Sequence, residues 1–142
     1  MLQVRHLLEQ KGSQVYAIDP DEPVLAAITS MANHGIGALL VMQGDVLVGM
    51  LSERDYARKV YLKGHSSRDT PVRGIMTEVV VTVAPGDTVE SCMQRCTNNR
   101  VRHLPVVEDG RVVGLVSIGD LVKAVIDEQS QQIQHLQDYI SG

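Results

Sequence analysis

Apolar residues fall in short blocks along this chain, and the blocks recur. Val15–Ile18 and Val79–Val83 are β-branched runs, each followed shortly by a proline, and they predict strands. Beyond each, apolar positions step at helical intervals, with Val24, Ile28 and Met31 in one place and Val89, Met93 and Cys96 in the other. Asp87-Thr88-Val89-Glu90 has the spacing of a capping box at the start of the second of these helices. Asn33 and Asn98 fall near the helix ends, where Asn tolerates a left-handed backbone. Ala38–Met42 and Val46–Leu51 flank Gln43-Gly44-Asp45, and Leu104–Val107 and Val112–Val116 flank Glu108-Asp109-Gly110, so each pair predicts a hairpin. Their near-continuous apolar character predicts cover on both faces. Ser52 and Ser117 then open a further helix.

The recurrence is a repeat. At an offset of 65, residues 15–60 align with 80–125 without a gap and share eleven identities, among them Val24 with Val89, Gly49 with Gly114, Ser52 with Ser117 and Asp55 with Asp120. Upstream the offset becomes 68, pairing Val4-Arg5 with Val72-Arg73, so the first copy carries three extra residues near Lys11-Gly12-Ser13. An insertion of that size costs little as a loop. The expected organisation is a first repeat over 4–62, a polar linker over 63–71, a second repeat over 72–127 and a helical extension over 128–142. Each repeat reads strand, helix, strand, strand, helix. A unit of about 50 residues hides an apolar sheet face poorly by itself. The expectation is therefore an α/β (α+β) protein whose two β-α-β-β-α repeats pack about a pseudo-twofold axis, with clefts where matching strand ends and helix starts converge.

Composition narrows the functions. Across 142 residues, 13 Lys and Arg against 17 Asp and Glu give a net charge of −4, which supplies no general attraction to phosphate backbones or anionic lipid. The absence of Trp and Phe, with four Tyr, removes a stacking platform for nucleic acid. No apolar run reaches membrane-spanning length, and the opening Met1–Leu8 lacks the charged flank and apolar stretch of a signal, so the cytoplasm is the expected location. Cys92 and Cys96 share a helix face and read as reduced core residues. His6, His34, His65 and His135 sit in polar company and read as surface residues. Neither a Walker loop, nor a metal-spaced histidine pair, nor a carboxylate dyad is present, and no turnover and no metal are expected.

The chemistry that remains lies in two turns, Gly49-Met50-Leu51-Ser52-Glu53-Arg54-Asp55 and Gly114-Leu115-Val116-Ser117-Ile118-Gly119-Asp120. Ser followed three residues later by an acid is a capping box. The same pattern suits a ligand: glycine admits it to the backbone, the helix start and hydroxyl attract a phosphate, and the carboxylate holds a ribose diol. Basic residues are distributed unequally, with Arg100, Arg102 and His103 ahead of the second hairpin and Arg54 in the first turn.

Arg102-His103-Leu104-Pro105-Val106-Val107, the glycine-bearing hairpins and the doubled Gly-x-x-Ser-x-x-Asp turn resemble the cystathionine-β-synthase (CBS) domain, which occurs in tandem pairs called Bateman modules, over residues 4–126. The resemblance implies an adenosine nucleotide as ligand, AMP first, with ADP, ATP or NAD(H) as alternatives. It implies Asp55 and Asp120 as ribose acids and Ser52 and Ser117 as phosphate-side hydroxyls. It also implies that Arg54 reaches the phosphate of the nucleotide held by Asp120, joined by Arg102 or His103. Val15 and Ala17, and Val79 and Val81, would line adenine. The first copy departs from the pattern in lacking the Arg-His-Leu-Pro sequence.

Val122, Ile126, Gln129, Ile133, Leu136 and Ile140 step by four and three along a polar background, too short a seam for an independent coiled coil. The stripe packs either on its own domain or on a second copy, and the resemblance favours a homodimer. Two functions follow: a non-enzymatic nucleotide sensor acting on a downstream protein, or a ligand-free dimerisation adaptor whose Ser and Asp residues only cap helices.

Overall fold

The hairpins form at their glycine-bearing turns. In the computed structural model, which describes residues 2–78 and 80–141, β2 (Ala38–Gln43) pairs antiparallel with β3 (Val46–Ser52), and β4 (His103–Glu108) pairs with β5 (Arg111–Ser117). Asp109 and Gly110 have φ of 52° and 78°, the two positive values that a type I′ turn demands. The helices are α1 (Val4–Lys11), α2 (Val24–His34), α3 (Glu53–Tyr56, continuing as a π-helical turn over Ala57–Tyr61), α4 (Val89–Asn99) and α5 (Ile118–Ser141).

One compact unit comprises Gln14–Val80 with Asp109–Val113. Its sheet has the order β1-β2-β3, where β1 (Ala17–Ile18) runs parallel to β2 in the register Ala17–Leu40 and Ile18–Val41. Val24, Ala27 and Met31 of α2 pack with Leu39, Val41 and Leu51 of the sheet and with Val60, Val72 and Ile75. The segment after residue 69 completes this unit. The Val24 amide donates to Thr70 O, those of Val72 and Arg73 to Glu22 O and Pro20 O, and Met50 and Thr77 exchange both backbone bonds.

The second unit comprises the chain up to Ser13, Val81–Glu108, and the chain from Gly114 onward. Here the N-terminal segment plays the matching part. The Val89 amide donates to Leu2 O, and those of Val4 and Arg5 to Asp87 O and Pro85 O. These are the bonds of the other unit displaced by 65 on one side and 68 on the other. The lead-in segment of each repeat is thus housed in the unit of the other. Val4, Leu7, Val89, Cys92, Leu104, Val106, Val116 and Leu121 are buried in this unit, and α5 packs on α4.

Three local expectations are corrected. Of the strand expected over Val79–Val83, the described residues 80–83 form no strand, and Val83 bridges Val106, parallel. In the first unit the Leu40 amide donates to Tyr16 O at 3.1 Å, but its counterpart is Pro105, which has no N–H, so that rung is lost. The helix start at α4 is capped by Thr88, whose hydroxyl accepts from the Ser91 amide. Asp87 instead turns back to the Ala84 amide at 2.7 Å and pairs with Arg95. The left-handed residues at the helix ends are Gly35 and Arg100, with Asn33 and Asn98 still helical.

Candidate functional site

Ser117 ends β5 and Asp120 lies in the first turn of α5. The Asp120 amide donates to Ser117 Oγ at 3.1 Å, and the Ser117 amide donates to Asp120 Oδ2 at 2.8 Å, closing a capping box. In the other unit Ser52 and Asp55 form the same box at the start of α3. Both serines are therefore N-caps, and the two turns are built alike.

The carboxylates differ in what else they hold. Asp55 is 13% exposed and occupied on both oxygens: Ser52 N and Oγ meet Oδ2, while Lys59 Nζ at 3.2 Å and Thr77 Oγ1 at 3.3 Å meet Oδ1. Lys59 follows one helical turn later and also donates to Ile75 O. Asp120 is 28% exposed, and its Oδ2 accepts from the Ser117 amide and from Lys11 Nζ at 2.7 Å. Burial pushes the Asp120 carboxyl up, but the hydrogen bonds from Lys11 and Ser117 and the lysine charge outweigh it, holding the group below its ordinary value. Lys11 also donates to Leu115 O at 2.9 Å.

The glycines of the two turns have another task than the one expected. A Cβ on Gly49 would lie 2.8 Å from Met76 Sδ and 2.8 Å from Thr77 O, and one on Gly114 would lie 2.6 Å from Leu8 Cδ2. The close approach seen at each glycine is made by the chain's own lead-in segments.

Arg102 stands just before β4, and its carbonyl accepts the Ile118 amide at 2.8 Å, which places it beside the Ser117–Asp120 turn. His103 opens β4 and is half-buried. Val81 is half-buried in the same unit, whereas Val79 lies outside the described residues. The other unit holds Ser52, Asp55 and an exposed Arg54, with Val15 half-buried and Ala17 exposed in β1. A hollow of about 120 Å³ opens at Asp120, with Lys11, Lys123, Gln10 and Asp127 on its walls. Among the described residues no three metal-ligating side chains converge.

The sequence profile described as CBS domain matches residues 11–61 and 72–127. The chain belongs to the CBS domain family. This CBS pair is 44% identical over 127 residues to the mitochondrial CBS domain-containing protein CBSX3 of Arabidopsis thaliana, a match over 86% of this chain and 62% of that protein's length. It superposes with a TM-score of 0.87 and 47% identity on a putative signal-transduction protein with CBS domains from Burkholderia ambifaria, covering 89% of this chain and 96% of the other. It shares its fold, at 21% identity and a TM-score of 0.79 over 90% of this chain and 98% of the other, with the CBS domain pair of protein MJ0100, which was solved with 5′-methylthioadenosine and S-adenosyl-L-methionine.

Lys11, Lys59 and Thr77 are the site residues that sequence reasoning missed. Lys59 had a local signal, an acid and a lysine four apart at a helix start. Lys11 had only a positional one, because it stands where the first copy carries its insertion. Two of the histidines read as surface residues have structural contacts: His6 Nδ1 accepts the Gln3 amide at 3.0 Å, and His34 stacks on Tyr16 at 3.9 Å.

Proposed function

We propose that this CBS pair is a non-enzymatic regulatory module that binds an adenosine nucleotide at Asp120. AMP is the first candidate, with ADP, ATP and NAD(H) as further ones. The supporting observation is the state of that carboxylate: half-buried at a capped helix start and held below its ordinary pKa by Lys11 and Ser117. A ribose hydroxyl is the kind of neutral donor from which such a carboxylate accepts. Ser117, Arg102 and His103 are assigned to the phosphate side, and Val81 and Val79 to adenine. Asp55 is the weaker position, because Lys59 and Thr77 already engage its second oxygen, and Ser52, Val15 and Ala17 go with it. That another pair of this fold takes adenosyl compounds fits the same ligand class.

Binding acts as a signal when the ligand favours one arrangement of the module over another. Self-association supplies a surface for that output. Ile126, Ile133, Leu136 and Ile140 are 56–82% exposed along α5, so the seam does not lie on its own domain, and a homodimer would cover it. The two unpaired, buried thiols suit a reducing compartment, and the cytoplasm is our reading.

The closed capping boxes also favour the adaptor function, in which Ser52, Asp55, Ser117 and Asp120 only cap helices. Calorimetry with AMP, ATP and NADH on the wild type, Asp120→Ala and Asp55→Ala separates the two. The sensor gives binding that Asp120→Ala abolishes and Asp55→Ala weakens less. No binding at millimolar ligand overturns it in favour of the adaptor.

A further inference from the structure

Charge is unevenly placed along this acidic chain. Residues 58–68 hold four Lys and Arg and no acid, while the other 131 residues hold nine Lys and Arg against seventeen acids. Lys59 is committed to Asp55 and to Ile75 O, and Arg58, Lys63 and Arg68 are exposed. Tyr61 and Leu62 stand among them, 72% and 74% exposed. An ordered turn holds these two side chains out. Val60 anchors it in the core, the Leu62 amide donates to Ala57 O and the His65 amide to Val60 O, both at 3.0 Å, and Gly64 turns the chain at φ 69°. A tip built in this way has little backbone freedom left to lose on binding.

The other unit carries the complement. A hollow of about 350 Å³ lies between α1 and α5, starting one helical turn beyond Asp120. Leu2, Leu7 and Ala124 give it an apolar wall, and its acids are Asp127 and Glu128, with no Lys or Arg among the described residues that line it. Past Lys123, α5 has three acids and no Lys or Arg, so packing α5 on the α5 of another copy would set acid against acid. An apolar tip flanked by cations and an apolar hollow flanked by acids match in both respects. We infer that the 58–65 tip of one copy docks in the α1–α5 hollow of a second copy, with Tyr61 and Leu62 entering it and Arg58 and Lys63 facing Asp127 and Glu128. A twofold pair makes this contact twice, each copy giving its tip and receiving the other's. This rests on the reading of the module as a homodimer and names the surfaces that join it.

The test is sedimentation equilibrium on the full chain: the wild type, Arg58→Glu with Lys63→Glu, Asp127→Lys with Glu128→Lys, and an equal mixture of the two variants. The wild type should self-associate, and less tightly in about 0.5 M salt, where exposed charges are screened. Each variant sets like charges against each other and should self-associate at least about tenfold more weakly. The mixture should recover association, because the acidic tip of one variant meets the basic hollow of the other while the two unchanged surfaces also meet. Leu62→Glu should weaken association as well, since it brings an unpaired charge to the apolar wall. If either charge variant associates as the wild type does, or if variants with wild-type circular dichroism fail to recover association on mixing, the inference is overturned while the homodimer reading stands. A wild type that stays monomeric overturns the homodimer reading and this inference with it.

Discussion

Lys11 Nζ lies 2.7 Å from Asp120 Oδ2, so the end of the first helix is tied to the start of the last by an ion pair that also holds a capping box. The arrangement makes stability depend on pH in a definite direction. The folded-state pKa of Asp120 is depressed, so its contribution is present above the carboxyl's ordinary value of about 4 and is lost as pH falls through the lower folded value. Asp120→Asn removes that dependence. Urea unfolding should show the wild type more stable than Asp120→Asn by about 1 kcal/mol near neutrality, the scale of a lost cap, with the gap closing in acid. An equal gap at both pH values would contradict the pairing.

Gly49 and Gly114 test the packing role of the repeated turns. At Gly49 an added Cβ meets a backbone carbonyl, Thr77 O, as well as Met76 Sδ; at Gly114 its nearest neighbours are atoms of the Leu8 side chain. Leucine can change rotamer and a paired carbonyl cannot. Gly49→Ala should therefore cost about 1–3 kcal/mol, the range for overpacking, and Gly114→Ala less. Denaturant midpoints rank the two, and negligible losses at both positions would contradict the packing role.

How much of this was legible follows from which interactions are local. The hairpins could be read because Gly44 and Asp109-Gly110 carry their turn chemistry in adjacent residues. The capping boxes could be read because Ser and Asp stand three apart. The shortened edge at Val83 was also present in the sequence, in Pro105, but its effect shows only once Leu40 is seen donating to Tyr16 O at the matching position. Lys11 was beyond reach, because no spacing rule connects it to a carboxylate 109 residues away. The offset of 68 upstream of each repeat was a visible sign of the exchanged lead-in segments. Its meaning lay in which turn each segment joins, and hydrogen bonds between distant segments set that.

Arg100 ends α4 with φ 54° and ψ 41°, the left-handed conformation that Gly35 adopts at the end of α2. A residue with a Cβ pays about 1 kcal/mol or more there and glycine does not. Arg100→Gly should raise the unfolding free energy by roughly 1 kcal/mol, read as a higher thermal midpoint. A neutral or lower midpoint would mean that the arginine side chain holds the helix end in a way the backbone does not show.

Cys92 and Cys96 are free, buried and four residues apart on α4. Burial, aided by the charge of Asp87 and of Cys96 and opposed by Arg95, pushes the Cys92 thiol up to about 11 from 9.0, and burial raises Cys96 as well. Both groups are therefore neutral thiols at physiological pH, and the thiolate that reacts with disulfide reagents is scarce as well as inaccessible. Native protein should react with Ellman's reagent only as fast as it unfolds, while denatured protein gives both thiols at once. For a group whose folded pKa is raised, the stabilisation is complete below the unfolded value and disappears as pH rises through the folded one. Unfolding free energy should accordingly fall between about pH 9 and 11, and Cys92→Ala should flatten that fall while costing stability at neutral pH. Rapid labelling of the native protein at neutral pH would show instead that α4 exposes its buried face.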